Sequence, residues 1–473
     1  MPICLRRMAC GAVIAAAAVF FVRGTVTCAD PGSGELSAQG GASTAAPTSP
    51  SAERGRAALL GRCFSAPLVP RSAYETLWKQ WGLKSRPADF DGQVRERYGL
   101  HEPPYPNDRL PMGLRRTDGR GGAPAVGIDC MLCHAGSLFG RSVIGVPNTS
   151  IDLAGLFRDL DRAGGGFGIF PYRLSNVRGT TESTATAVFL LSLRDPELHR
   201  RLPPADLGPT PDRLCEDPPA WWLLKRKQTM YFNGQIDARA VRPLMTFMLS
   251  PFAPSAIFAR EESTFADIRQ YLGTLEAPKY PFPIDTRLAA EGRSVFEENC
   301  ARCHGNYGPD GKYPNRVVPL AKIGTDPTLV RLMTPAIEEH FRKSWFTREL
   351  APDGRPYPLR YNSGYQAPPL DGVWATAPYL HNGSVPTLHQ LLKSADRPRV
   401  FTRSYRTGVD DYDAERVGWK VTELPDSPVT DSGPDARRIY DTTKPGRSNA
   451  GHTFGDDLTD DERRAVIEYL KTL

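Results

Sequence analysis

Cysteine and histidine are scarce in this chain, at nine and eight of 473 residues, so a pattern that uses both is informative. Basic residues form no cluster. The net charge is only +6, with Lys and Arg scattered, and this excludes a nucleic-acid surface. Apolar runs are short: Gly11 to Val22 holds twelve apolar residues, fewer than the roughly 20 that span a bilayer. Residues 30–54 almost lack large apolar side chains and read as a flexible tether of Gly, Ser, Ala, Thr and Pro. What remains is ordinary. A 40% share of hydrophobic residues suits a globular protein, and 43 Gly with 44 Pro require long irregular loops between short helices.

The N-terminus reads as an export signal over residues 1–29. Arg6 and Arg7 precede the apolar stretch, and Thr27-Cys28-Ala29 offers small residues for cleavage. Cys28 invites a lipoprotein reading, but Thr25-Val26-Thr27 is a poor lipobox. The expected product is periplasmic or secreted, with no membrane span once the signal is removed.

The scarce residues then meet twice. Cys130-Met131-Leu132-Cys133-His134 and Cys300-Ala301-Arg302-Cys303-His304 each have the C-x-x-C-H form of a c-type haem attachment site. The thiols form thioethers to the porphyrin, and the histidine that follows becomes the proximal ligand. One copy could be a redox C-x-x-C that happens to precede a histidine; two make chance untenable. Two covalently bound c-type haems are therefore expected, held by Cys130, Cys133, Cys300 and Cys303, with His134 and His304 on the irons. Haem of this type is attached outside the cytoplasm in bacteria, which agrees with export. Cys4, Cys10 and Cys28 leave with the signal, so Cys63 and Cys215 remain and are expected to form a disulfide.

Order should begin near Glu53. Ser72 to Trp81 has a serine cap, a glutamate three residues on, and Tyr74, Leu77, Trp78 and Trp81 at helical spacing, which predicts a helix opened by a capping box. Leu153, Leu156, Phe157 and Leu160 predict a second helix over 151–163, ended by Gly164-Gly165-Gly166, and Thr184 to Leu193 a third. The prolines of Ala277 to Pro283 mark a boundary. It divides an N-terminal haem domain, 55–280, from a C-terminal one, 281–473. Leu288 to Glu298 forms a helix leading into Cys300, and Thr459-Asp460-Asp461-Glu462 caps a final helix with Ala465, Val466, Tyr469, Leu470 and Leu473 as its apolar stripe. A helix feeding C-x-x-C-H with a last helix across it is the layout of class I cytochrome c. The expected fold is mainly α, two cytochrome c-like haem domains with long irregular loops and little β.

The segment from Leu370 to Leu388, L-D-G-V-W-A-T-A-P-Y-L-H-N-G-S-V-P-T-L, together with Ser448-Asn449-Ala450-Gly451-His452, resembles the bacterial di-haem cytochrome c peroxidase and MauG superfamily. Within it, the likeness is to the rubber oxygenase A group, and it covers roughly residues 120–473. The resemblance implies one haem per domain, the N-terminal one reactive and the C-terminal one relaying electrons. It also implies His452, before the last helix, as the second axial ligand of the C-terminal haem, with His381 as the alternative. Peroxidase relatives carry a catalytic glutamate near the first haem. The corresponding stretch here, Leu244-Met245-Thr246-Phe247-Met248-Leu249-Ser250-Pro251, has no carboxylate, and peroxide cleavage needs a positioned proton carrier. Phe232 and Trp222 are candidates for distal or inter-haem residues, or else plain core. The superfamily also implies calcium between the domains, through carbonyls of Thr376 and Pro378. Its asparagine partner is replaced at Arg178-Gly179-Thr180-Thr181, which counts against that ion.

The leading expectation is an exported di-haem oxidoreductase. Its N-terminal haem meets O2 or H2O2 beside an apolar organic substrate, and its C-terminal haem transfers electrons. A peroxidase supplied by a small redox protein, and an electron-transfer cytochrome without catalysis, are the rivals.

Overall fold

Two helices 160 residues apart in sequence form the frame of the C-terminal half. Asp285 accepts a hydrogen bond from Leu288 N at 3.0 Å and opens the helix Thr286–Asn299. The final helix, Asp460–Lys471, is opened by Thr459. Its Oγ1 accepts from Glu462 N at 3.2 Å, and Glu462 Oε2 accepts in return from Thr459 N at 2.8 Å. The two helices pack face to face, with Phe296 against Tyr469 at 5.2 Å. Contact this close requires Gly292: a Cβ there would lie 1.8 Å from the Ala465 carbonyl oxygen. Gly292→Ala is therefore expected to lower stability by about 1–3 kcal/mol, as overpacking does, and a thermal melt of the holoprotein measures it.

The computed structural model describes residues 49–166, 177–208, 214–251, 253–427 and 433–473. The expected signal and all but the end of the tether lie outside them. Pro50 to Leu473 form one compact unit. It is mainly helical with two- and three-stranded sheets, all antiparallel. Among the described residues, no helix is long and apolar enough to cross a membrane.

In the N-terminal half, Val69–Pro70 and Leu114–Asp118 flank the strand Pro124–Ile128, which runs straight into Cys130. The helix Leu153–Ala163, capped by Asp152, covers this sheet with Leu156, Phe157 and Leu160. The helix Ala52–Gly61 lies along Ala256–Thr274, where Gly55 leaves room for the Asp267 carbonyl. The largest apolar group joins Leu138, Val146 and Trp222 to Phe296, Trp374 and Tyr469.

Two local expectations fail. Ser72 caps nothing. The chain makes a short helix, Arg71–Glu75, then a 3-10 turn, Leu77–Trp81. The Thr76 hydroxyl takes the Ser72 and Ala73 carbonyls, and Glu75 pairs with Arg71. The disulfide between Cys63 and Cys215 is absent, and both thiols are free. Cys63 lies against Ser65 and the Ile128 carbonyl, while Cys215 is buried with Val177, Phe401 and Tyr440.

Candidate haem sites

The first motif is held from below. Asp129, next to Cys130, accepts from Met131 N through Oδ1 at 2.9 Å and so starts the single turn Met131–His134. Its Oδ2 receives two hydrogen bonds from Arg115, at 2.8 and 3.1 Å. The two side chains are only 5% and 1% exposed. Arg115 also donates to the Leu60 carbonyl and to Asn107. His134 Nδ1 lies 3.0 Å from the Pro219 carbonyl oxygen. A carbonyl can only accept, so Nδ1 carries the proton and Nε2 keeps its lone pair. Burial lowers the His134 pKa to about 4, and the ring is neutral. A neutral imidazole oriented by a carbonyl behind it is the form that ligates iron. Beside it stacks Trp221, at 5.2 Å and 23°.

The second motif repeats this support. His304 Nδ1 donates to the Pro368 carbonyl at 2.8 Å, and burial again lowers its pKa. The structure brings His452 to the same place: the two imidazole centres are 6.2 Å apart and tilted by 59°. A metal–nitrogen bond of about 2 Å places each ring centre about 3 Å from a shared metal, so two rings on opposite sides need about the separation found. Nδ1 of His452 is buried without a hydrogen-bond partner, and its pKa is lowered to about 4. The loop that carries it is clamped by one guanidinium. Arg397 donates to the Asn449, Gly451 and His452 carbonyls at 2.6, 2.7 and 3.2 Å, and His452 N bonds the Ile323 carbonyl. His452 itself has φ +47°.

His381 is elsewhere. It stacks on Tyr365 at 4.0 Å, with Nε2 3.0 Å from the phenol oxygen, and its carbonyl accepts from Asp217 N. Phe232 also packs on Tyr365, at 5.8 Å, in the apolar group that contains Cys303. Trp222 is buried and donates Nε1 to the Asp371 carbonyl at 2.7 Å. Of the remaining histidines, His199 and His389 face Asp195 and Asp396, and His340 faces the Leu191 carbonyl.

His101 lies 3.2 Å from Asn148, whose amide bonds the Leu132 carbonyl beneath the first motif. Burial lowers its pKa from 6.5 to about 4. Between these values the unfolded chain binds the extra proton, so stability rises with pH across this window and falls as the medium is acidified through it. His101→Asn should remove about one proton from that slope, read from unfolding free energies at pH 4–7.

The expected calcium position does not fit. The pocket that contains Thr180 and Pro378 is lined by the guanidinium-bearing Arg178 and Arg403, a poor setting for a divalent cation.

Trp221, Arg397, Asp129 and the two proline carbonyls were missed by sequence reasoning. Asp129 alone had a readable signal, a carboxylate directly before the motif and able to cap its turn.

Residues 364–402 match a family model described as RoxA-like, cytochrome c-like. That segment relates the chain to a haem cytochrome. It holds Pro368 behind His304, the Tyr365–His381 stack, and Arg397 under the His452 loop. Two uncharacterised proteins of Sinorhizobium fredii (strain NBRC 101917 / NGR234) are also similar. The protein y4iJ is 30% identical over 261 residues, 42% of this chain and 41% of its own length. The protein y4iM is 29% identical over 301 residues, 55% of this chain and 65% of its own length. The chain thus spans less than two thirds of either relative.

Proposed function

We propose an exported di-haem c-type cytochrome oxidoreductase, similar to rubber oxygenases, in which the two irons are unlike. One haem is attached to Cys130 and Cys133 with His134 proximal, and the other to Cys300 and Cys303 with His304 and His452 on its two sides. The observation that carries this reading is the difference in what stands beside the proximal rings. His304 has a second imidazole at ligating distance, whereas no other described histidine is so placed beside His134: His101, His199, His340, His381 and His389 all face other partners. The second iron is closed and suits electron transfer; the first is open to O2 or H2O2.

A bound haem supplies oxidant binding and one-electron chemistry. The chain's own residues set what it can do. Burial keeps both rings neutral, and the Pro219 and Pro368 carbonyls aim them. Asp129 and Arg115 fix the turn that presents Cys130, Cys133 and His134. Met112, Met131, Met230, Met245 and Met248 form an apolar group with Cys130 and Trp221, which excludes water and accepts an apolar organic substrate. The stretch 244–251 offers no carboxylate to move a proton, which disfavours ordinary peroxide cleavage. Trp221 touches His134, and Trp222 bonds the carbonyl of Asp371, three residues beyond Pro368. These two indoles connect the surroundings of the two proximal ligands.

Titration of the reduced holoprotein with carbon monoxide tests the reading. One of two haems should bind it. Two low-spin irons that ignore both carbon monoxide and peroxide would leave only an electron-transfer cytochrome, and rapid turnover of peroxide with a reduced small redox protein would return the peroxidase reading.

A further inference from the structure

The cavity that fails as a calcium site already holds a cation. Arg403 lines it and is only 8% exposed. Arg178, Arg403 and Arg438 all stand over the ring of Tyr405, at 5.5, 4.4 and 5.5 Å. The neighbouring Arg437 and Arg406 pair with Asp152 and Glu96, but among the described residues Arg403 forms no ion pair with any carboxylate. Burial pushes the Asp217 carboxyl well above the usual carboxylate range, and the Arg403 charge offsets only part of that rise. Burial also lowers the Arg403 guanidinium, to about 10, so it stays charged at neutral pH. A buried charge is costly unless something answers it.

What answers it comes from both halves of the chain. From the N-terminal half, the Thr149 carbonyl accepts from Arg403 Nη2. From the C-terminal half, the Tyr405 and Trp419 rings face the guanidinium at 4.4 and 5.6 Å, and aromatic faces attract a cation. Trp419 in turn donates Nε1 to the Ala377 carbonyl at 2.8 Å, in the stretch whose Thr376 and Pro378 carbonyls the resemblance offers to calcium. Thr149 follows Asn148, which supports the first motif: its N–H bonds the Cys133 carbonyl at 2.9 Å and its amide the Leu132 carbonyl at 3.1 Å.

Gly179 shows that the arrangement is built in. It falls where the resemblance puts the asparagine partner of calcium, and it has φ +86°. A Cβ there would lie 2.4 Å from the Thr149 carbonyl oxygen and 3.0 Å from Arg403 Nη2. The guanidinium therefore takes the space that a side chain at 179 would enter, and a metal-reaching side chain at 179 and Arg403 in its present place exclude each other.

We propose that the Arg403 guanidinium is the resident cation of the joint between the two halves, standing in for calcium and tying the support of the first motif to the C-terminal half without metal. Arg403 acts on that motif through Thr149 and Asn148, as a positioning residue.

Thermal melts of the holoprotein test this. Millimolar calcium or EGTA should leave the wild-type midpoint where it is. Arg403→Met keeps the reach of the side chain and removes its charge, and it should lower the midpoint by about 3–5 °C, the loss of one hydrogen bond from a charged group. Arg403→Ala should recover with ethylguanidinium, the part of the side chain removed, and not with ethylurea, its neutral counterpart. A wild-type protein that loses stability to EGTA and regains it with calcium overturns the inference. So does an Arg403→Met protein that melts with the wild type, or an Arg403→Ala protein on which the two additives act alike. None of these readouts depends on how the irons are ligated, so the haem assignment stands or falls separately.

Discussion

Replacing His452 with methionine should raise the midpoint potential of the second haem by on the order of 100 mV. An imidazole is a stronger donor than a thioether and favours the ferric iron, so a histidine-to-methionine exchange moves the balance towards the ferrous state. The loop geometry makes the comparison clean. Arg397 and the Ile323 carbonyl hold the backbone of residues 449–452, so the exchange alters the ligand and not its placement. His452→Ala should open the same iron, and reduced protein that took up one carbon monoxide should then take up two. Spectroelectrochemical titration reads the first outcome and carbon monoxide stoichiometry the second. An unmoved potential together with unchanged uptake would mean that the 6.2 Å approach of His304 and His452 serves some purpose other than shared ligation.

The largest stability effect is expected beneath the first motif. Asp129→Ala leaves the Arg115 guanidinium charged and enclosed, with 5% of its side chain exposed. Breaking a buried pair from one side costs about 3–5 kcal/mol. The change also frees the Met131 N–H that begins the motif's turn, so haem attachment at Cys130 and Cys133 should fall with stability. Urea unfolding and haem content per chain measure the two effects. The double variant Arg115→Met, Asp129→Leu removes both charges and should recover most of the loss. A single variant within about 1 kcal/mol of the native protein would show that the pair behaves like an exposed one.

What could be read from the residues was local. Two pentapeptides marked the candidate haem sites, and Thr459 with Glu462 identified the cap of the last helix, because each pattern lies within a few residues. The same kind of signal misled at Ser72, because the helix opens earlier, after Pro70, and leaves Ser72 inside its first turn. Pairings between distant residues were not legible. Cys63 and Cys215 were matched by elimination, but folding carries one to the strand before Cys130 and the other into a group with Phe401. Trp222 was preferred over Trp221, since nothing in W-W says which ring meets a histidine. The clamp of Arg397 on His452 joins residues 55 apart through backbone oxygens, which leave no trace in side-chain identity.

The same is true of Pro219 and Pro368, and this affects how the protein can change. In many haem enzymes the proximal ring leans on a carboxylate, so one codon can alter how strongly that ring pushes electrons into the iron. Here both acceptors are main-chain carbonyls. Every amino acid placed at either position would bring the same oxygen, so that push passes down unaltered through any exchange there that keeps the backbone path. Descendants of this chain that need a different iron must adjust it from the opposite face.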